Sequence, residues 1–190
     1  MNTTNYELTE FSNNYFSIIG KFLYIATNYE KTFRAYFTTI ACKYFPHFNN
    51  IIPEFSESEL LDQNIDSLLK VYNEIYERCS KFSFNKIIQI YFDKIISEVI
   101  SDSYLKEKFI KAKNVRNYIA HELCNFDLEE TQKDSFRDFL KNEMLEDVKI
   151  IIECTLIMEN VINDFNNEPI LHDLDKRVNE ICEWVVDEPR

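Results

Sequence analysis

The sequence predicts an all-α fold: a single domain, residues 1–190, built as a bundle of four to six helices. Three observations carry that reading. Glycine occurs once, at Gly20, and proline four times in 190 residues. Sandwiches, barrels and open sheets need turn residues far more often. Hydrophobic residues make up 45% of the chain, enough to fill a sizeable core at this length. They recur at spacings of three and four, the repeat of an amphipathic helix.

The first helix is written by Phe11, Tyr15, Ile18, Phe22, Ile25, Tyr29, Phe33, Tyr36 and Ile40, one continuous apolar stripe. Gly20 marks either a bend in it or a place where a neighbour comes close. Pro46 and Pro53 bracket the loop that ends it. Ser56 and Glu59 read as a capping box opening a second helix, with Leu61, Ile65, Leu68, Tyr72 and Ile75 on its buried face. A break near residues 80–83 leads into FNKIIQIYFDKIISEVI, whose apolar residues cover a wide arc and predict a central helix. The string SDS at 101–103 caps a helix of about 20 residues. The last long helix carries Phe136, Leu140, Met144, Val148, Ile151, Thr155, Met158, Ile162 and Phe165, and Asn166, Asn167 and Pro169 stop it. Residues 171–190 form a short final helix, with Val178, Ile181, Cys182 and Val185, and a solvated tail.

The formal net charge of -12 argues against a general nucleic-acid coat or a membrane-surface protein. The five cysteines are widely spaced, without a CxxC pair or a histidine at zinc-finger spacing. They read as reduced core thiols of a cytoplasmic protein. The opening MNTTNYELTEF lacks the basic-then-apolar pattern of a signal peptide, and KIIIECTLIMENVI is interrupted by Glu153 and Glu159 before it reaches spanning length. The expectation is a soluble cytoplasmic chain with no membrane association.

One stretch departs from this helical rhythm: KAKNVRNYIAHEL, residues 111–123. Histidine exchanges protons near neutral pH, and arginine offers a permanently charged fork matched to phosphate. Asn117 and His121, four apart, are neighbours on one helix face, whereas Arg116 and His121 stand about 140° apart on an ideal helix. Either the long Arg116 side chain curls round, or another surface brings the two groups together. Lys106, Lys108, Lys111, Lys113 and Arg116 stand against a single acid, Glu107, so positive charge gathers beside the histidine. That suits an anionic substrate; a lysine-rich solvated helix face is the plainer reading. His121 also falls near the end of its helix, where the dipole favours an imidazolium. His47 and His172 have no basic or amide companion. Cys124 lies three residues from His121, with nothing to complete a triad.

RNYIAH, Arg116 to His121, resembles the arginine–polar–spacer–histidine motif of HEPN domains, the all-α domains of toxin–antitoxin, abortive-infection, CRISPR-associated and RNA-processing ribonucleases. The resemblance implies a HEPN-like bundle that cleaves RNA without a metal or other cofactor, at a composite site where two copies of the motif face each other across a homodimer. Arg116 would then hold the scissile phosphate, Asn117 would position the phosphate or the imidazole, and His121 would act as general acid or base. Lys111 and Lys113 would contact the RNA backbone. Tyr118 is expected to pack in the core. A growth-arresting toxin or anti-phage effector is implied, with an antitoxin or other regulatory protein as a possible partner. HEPN toxins paired with nucleotidyltransferase antitoxins commonly carry a modified tyrosine two residues after the histidine; here that position is Leu123. Against the nuclease stands a non-catalytic helical interaction module, which the acidic balance favours.

Overall fold

The computed structural model describes residues 10–43, 72–73, 75–77, 79–92, 103–123 and 134–186. Every regular element among them is helical: α1 (Glu10–Lys43), α2 (Phe84–Ile90), α3 (Ser103–His121), α4 (Asp134–Asp138), α5 (Leu145–Phe165) and α6 (Leu174–Val186), with no strand among the described residues. The all-α expectation holds. The capping box at Ser56 and Glu59, the stripe residues Leu61, Ile65 and Leu68, and His47, Pro46, Pro53 and Cys124 lie outside the described residues, as do the side chains of Phe11 and Tyr15.

The chain divides into two compact units, and three long helices contribute to both. The first unit comprises residues 1–29, 108–154 and 172–190. Its core is built from Ile18, Phe22, Ile25 and Tyr29 of α1, Phe109, Ala112, Val115 and Ile119 of α3, Val148, Ile151 and Cys154 of α5, and Val178 and Val185 of α6, all buried. The spacings of three and four put each set on one side of its helix, and removing that side from water is what drives packing. Polar contacts fix the register. The Tyr29 hydroxyl donates to the Phe109 carbonyl at 3.4 Å. Lys108 pairs with Glu153, and Lys21 donates to the carbonyls of Trp184 at 2.7 Å and Val185 at 3.3 Å. The last contact caps α6: a cation meets the negative end of the helix dipole and its unbonded carbonyls.

The second unit comprises residues 30–107 and 155–171. Its centre is aromatic. Phe33 meets Phe84 and Tyr91 edge-on, with centroids 5.7 and 5.3 Å apart, and Tyr36 packs on Tyr91 with hydroxyl oxygens 2.9 Å apart. Edge-to-face geometry suits the ring quadrupoles, and the hydroxyl pair satisfies two otherwise costly buried oxygens. Arg34 donates to the carbonyls of Cys79 and Phe82 and to Glu30, tying α1 to the turn that precedes α2. Ser83 caps α2 by accepting from the Lys86 amide.

Between α4 and α5 the helix continues as six residues of π-helix, Phe139–Met144. The apolar stripe explains it. Phe136, Leu140, Met144 and Val148 are all buried and all four apart. In an α-helix each step of four overshoots a full turn by about 40°, so three steps would carry the stripe about 120° round. One stretch of wider π turn cancels that drift. At the far end of α5, Asn167 takes φ 57, and the Glu168 amide reaches back to the Asn163 carbonyl at 2.7 Å. This is the left-handed stop usually made by glycine, supplied here by asparagine. It ends the helix where the sequence predicts.

Gly20 has no positive φ, and a Cβ placed there would meet no atom of the described residues within 4 Å. The expected close approach is not found among the described residues; Gly20 stands exposed in mid-helix.

Candidate functional site

The motif residues lie on the C-terminal half of α3, within the first unit. Phe109, Ala112, Val115, Ile119 and Leu123 root the helix in the core, which sends residues 110, 114, 117 and 121 to the opposite side. That outer side reads Ile110, Asn114, Asn117, His121. Ile110 is 37% exposed despite its apolar chain, and His121 is exposed at the helix end. α3 closes with the amides of Glu122 and Leu123 both donating to the Tyr118 carbonyl, at 2.9 and 3.1 Å. His121 is thereby the last helical residue, against the carbonyl end of the dipole, as the sequence predicts.

Arg116 leaves the helix on the core side, between the directions of Ala112 and Asn117. Its side chain is half-buried, and Nη1 donates to Oδ1 of Asn117 at 3.1 Å. Asn117 stands about 100° from Arg116 and about 40° from His121 on an ideal helix. The amide therefore draws the guanidinium from the buried flank toward the face that carries the histidine.

The lysines divide. Lys108 is half-buried against Glu153, and Lys111, largely exposed, sits 3.4 Å from Asp147. Both acids come from α5, so part of the positive charge in the sequence is met by carboxylates of the neighbouring helix. Lys113 is half-buried and pairs with no acid among the described residues. Tyr118 departs from expectation. It is half-buried rather than in the core, three residues before His121 and so beside it on the helix. Burial, then the nearby Glu122 charge, raises its phenol above the usual value. Leu123 is fully buried and closes the α3 core stripe.

Among the cysteines, Cys154 is pushed to about 12, chiefly by burial and further by Glu153, against an opposing pull from Lys108. Cys79 is pushed to about 11 by burial, with Arg34 opposing. Such thiols stay protonated near neutral pH, which suits core packing rather than nucleophilic work. No group of three or more His, Cys, Asp or Glu among the described residues is placed to hold a metal ion, and no described helix is long and apolar enough to cross a membrane.

The sequence reading missed the acceptor role of Asn117 and the α5 acids opposite the lysines. The first was within reach, since adjacent residues can bond side chain to side chain. The second depends on which helix packs beside α3, which no local pattern states. No protein-family model, curated protein or solved structure matches the chain.

Proposed function

We propose that this chain is a metal-independent endoribonuclease of the HEPN type, with Arg116, Asn117 and His121 as its reactive set. The observation that carries the reading is the Arg116–Asn117 hydrogen bond beside an exposed terminal histidine. The phosphate-binding fork of Arg116 is bonded to a residue that shares the helix side of His121. The 2′-hydroxyl of RNA loses its proton to a base and attacks the adjacent phosphorus. The bond to the 5′-oxygen breaks, and that oxygen takes a proton from an acid. Arg116 stabilises the negative charge that builds on the phosphoryl oxygens. His121 supplies one proton transfer, and His121 of a second copy supplies the other, across an isologous dimer formed on the outer side of α3. Exposed Ile110 on that side supports the interface.

Lys113, and Lys111 once a phosphate competes with Asp147, would steer the RNA backbone. In a cell the activity would serve a growth-arresting toxin or anti-phage effector, held in check by an antitoxin or other regulatory protein. With Leu123 in place of the tyrosine, control by binding fits better than control by modification at that position. The second reading, a non-catalytic interaction module, draws support from the ion pairs that occupy Lys108 and Lys111 and from the net charge of -12. Incubating the purified protein with total RNA in EDTA separates the two. The nuclease leaves fragments with 2′,3′-cyclic phosphate ends; the module leaves the RNA intact.

A further inference from the structure

Gly20 is the only glycine in 190 residues, and it stands exposed in the interior of α1. Glycine is among the poorest residues for a helix interior. Neither a left-handed backbone nor an approach by atoms of the described residues accounts for it. What flanks it is aromatic. Phe16 and Tyr24, four residues before and four after, lie along the same side of the helix, 50% and 65% exposed. Glycine between them makes a saddle with an aromatic wall at each end.

The wall at Tyr24 is braced. Its ring meets that of Trp184 edge-on at 6.3 Å, and Trp184 is itself 45% exposed. Lys21 bonds the Trp184 and Val185 carbonyls and sits 5.2 Å from the indole centroid. Exposed aromatics held in place lose little freedom on contact, which is why interfaces favour them.

Charge selects the occupant. The chain carries 33 acidic residues and a net charge of -12, yet none falls between Glu10 and Glu30. Lys21 is the one charged residue in that interval, and its ammonium is engaged with the end of α6. Two copies of so acidic a protein repel across most of their surfaces; along α1 that penalty is reduced, with the exposed acids Glu180, paired to Arg177, and Glu183 standing within four residues of Trp184 on α6. A basic partner would be drawn instead to the acidic surfaces.

We propose that this face of α1 binds a second copy of the chain, the two helices crossing antiparallel at Gly20. The pattern Phe16–Gly20–Tyr24, aromatic–glycine–aromatic at equal spacing, has the same form in both directions. A two-fold axis at Gly20 therefore sets Phe16 of one copy against Tyr24 of the other, twice. Packed helices run 8–10 Å apart, and a glycine at the crossing admits the near end of that range. Antiparallel helices also oppose their dipoles. The three aromatics leave roughly 300 Å² open per copy, taking about 200 Å² for each side chain. A standard interface buries about 800 Å² per partner. The association is accordingly weak and concentration-dependent. It does not rest on the nuclease reading and uses a different helix.

Cysteine cross-linking tests the geometry. With each Cα about 2.3 Å from its helix axis, axes about 9–10 Å apart set the two residue-20 Cα atoms about 4.4–5.4 Å from each other, within disulfide reach. Gly20→Cys is expected to form a covalent dimer on mild oxidation, above the background set by wild type with its five native cysteines. Phe16→Cys mixed with Tyr24→Cys should give the mixed dimer, while Phe16→Cys alone should not. Circular dichroism of each variant verifies folding, and the same cross-link in a Gly20→Cys/His121→Ala double variant separates this contact from the α3 site. Gly20→Glu should abolish any rise of sedimentation mass with concentration that comes from this face. Background-level cross-linking of folded Gly20→Cys would overturn the proposal. So would Phe16→Cys pairing with itself as readily as with Tyr24→Cys.

Discussion

Arg116 and Asn117, adjacent in sequence, are joined side chain to side chain by a 3.1 Å hydrogen bond from Nη1 to Oδ1. One residue of the pair is rooted toward the core of α3 and the other toward its outer side. Their bond makes a single polar unit that spans the two sides of the helix.

Asn117→Ala removes the acceptor and leaves the guanidinium without that guide. Hydrogen bonds to charged groups are worth about 1.5–3 kcal/mol, which corresponds to roughly 10- to 150-fold in rate. RNA cleavage by Asn117→Ala should fall by that factor, with little change in thermal midpoint. Asn117→Asp keeps an acceptor at the same place and should fall less. Equal loss in the two variants would argue that the bond does not position Arg116.

Lys111 and Asp147 form an exposed pair, and such pairs contribute under about 1 kcal/mol to stability. Asp147→Asn should therefore barely shift a urea midpoint. It should tighten RNA binding at low salt, because the lysine no longer shares its charge. Lys111→Ala should weaken binding and reduce the slope of log affinity against log salt by about one. Fluorescence polarisation across a salt series reads both effects.

In the second unit, Phe33 sits at the centre of the aromatic cluster and Tyr91 closes it. Phe33→Ala should cost about 3–5 kcal/mol in urea unfolding, the usual toll of emptying an aromatic site. Tyr91→Phe keeps the ring and removes only the hydroxyl bonded to Tyr36, so about 1–3 kcal/mol is expected. Similar losses in the two variants would contradict the packing described.

Cys154 and Cys79, raised from 9.0 to about 12 and about 11, hold their protons more tightly when folded. The folded state then binds more protons than the unfolded state above pH 9, so stability falls as pH rises through that window. The two thiols contribute no slope below about pH 8, where both states keep their protons. Native protein at pH 8 should react with a thiol reagent at Cys182, which is half-exposed, faster than at Cys154 or Cys79. Peptide mapping after a short alkylation pulse gives the order.

Much of the fold was legible in the apolar spacing. Phe22, Ile25, Tyr29 and Phe33 fall on the buried side of α1, and the asparagines after Phe165 end α5 in the left-handed turn their side chains tolerate. The π turn was half-legible: steps of four from Phe136 to Val148 do not fit a straight α-helix, but only the burial of all four shows that the backbone yielded. At the site, the sequence placed His121 at its helix end and Arg116 out of its direct reach. It put Tyr118 in the core, where angular position alone could have put it beside His121. The ion pairs to Glu153 and Asp147 were invisible because they depend on α5 packing against α3, a long-range choice.

The first measurement to make is RNA cleavage in EDTA, comparing wild type with Arg116→Ala and His121→Ala under conditions where all three are folded. Proton transfer by a positioned side chain contributes about 10²–10⁴-fold. Wild type should leave 2′,3′-cyclic ends, and each variant should lose at least that lower factor. Cleavage that persists unchanged in folded His121→Ala would contradict it.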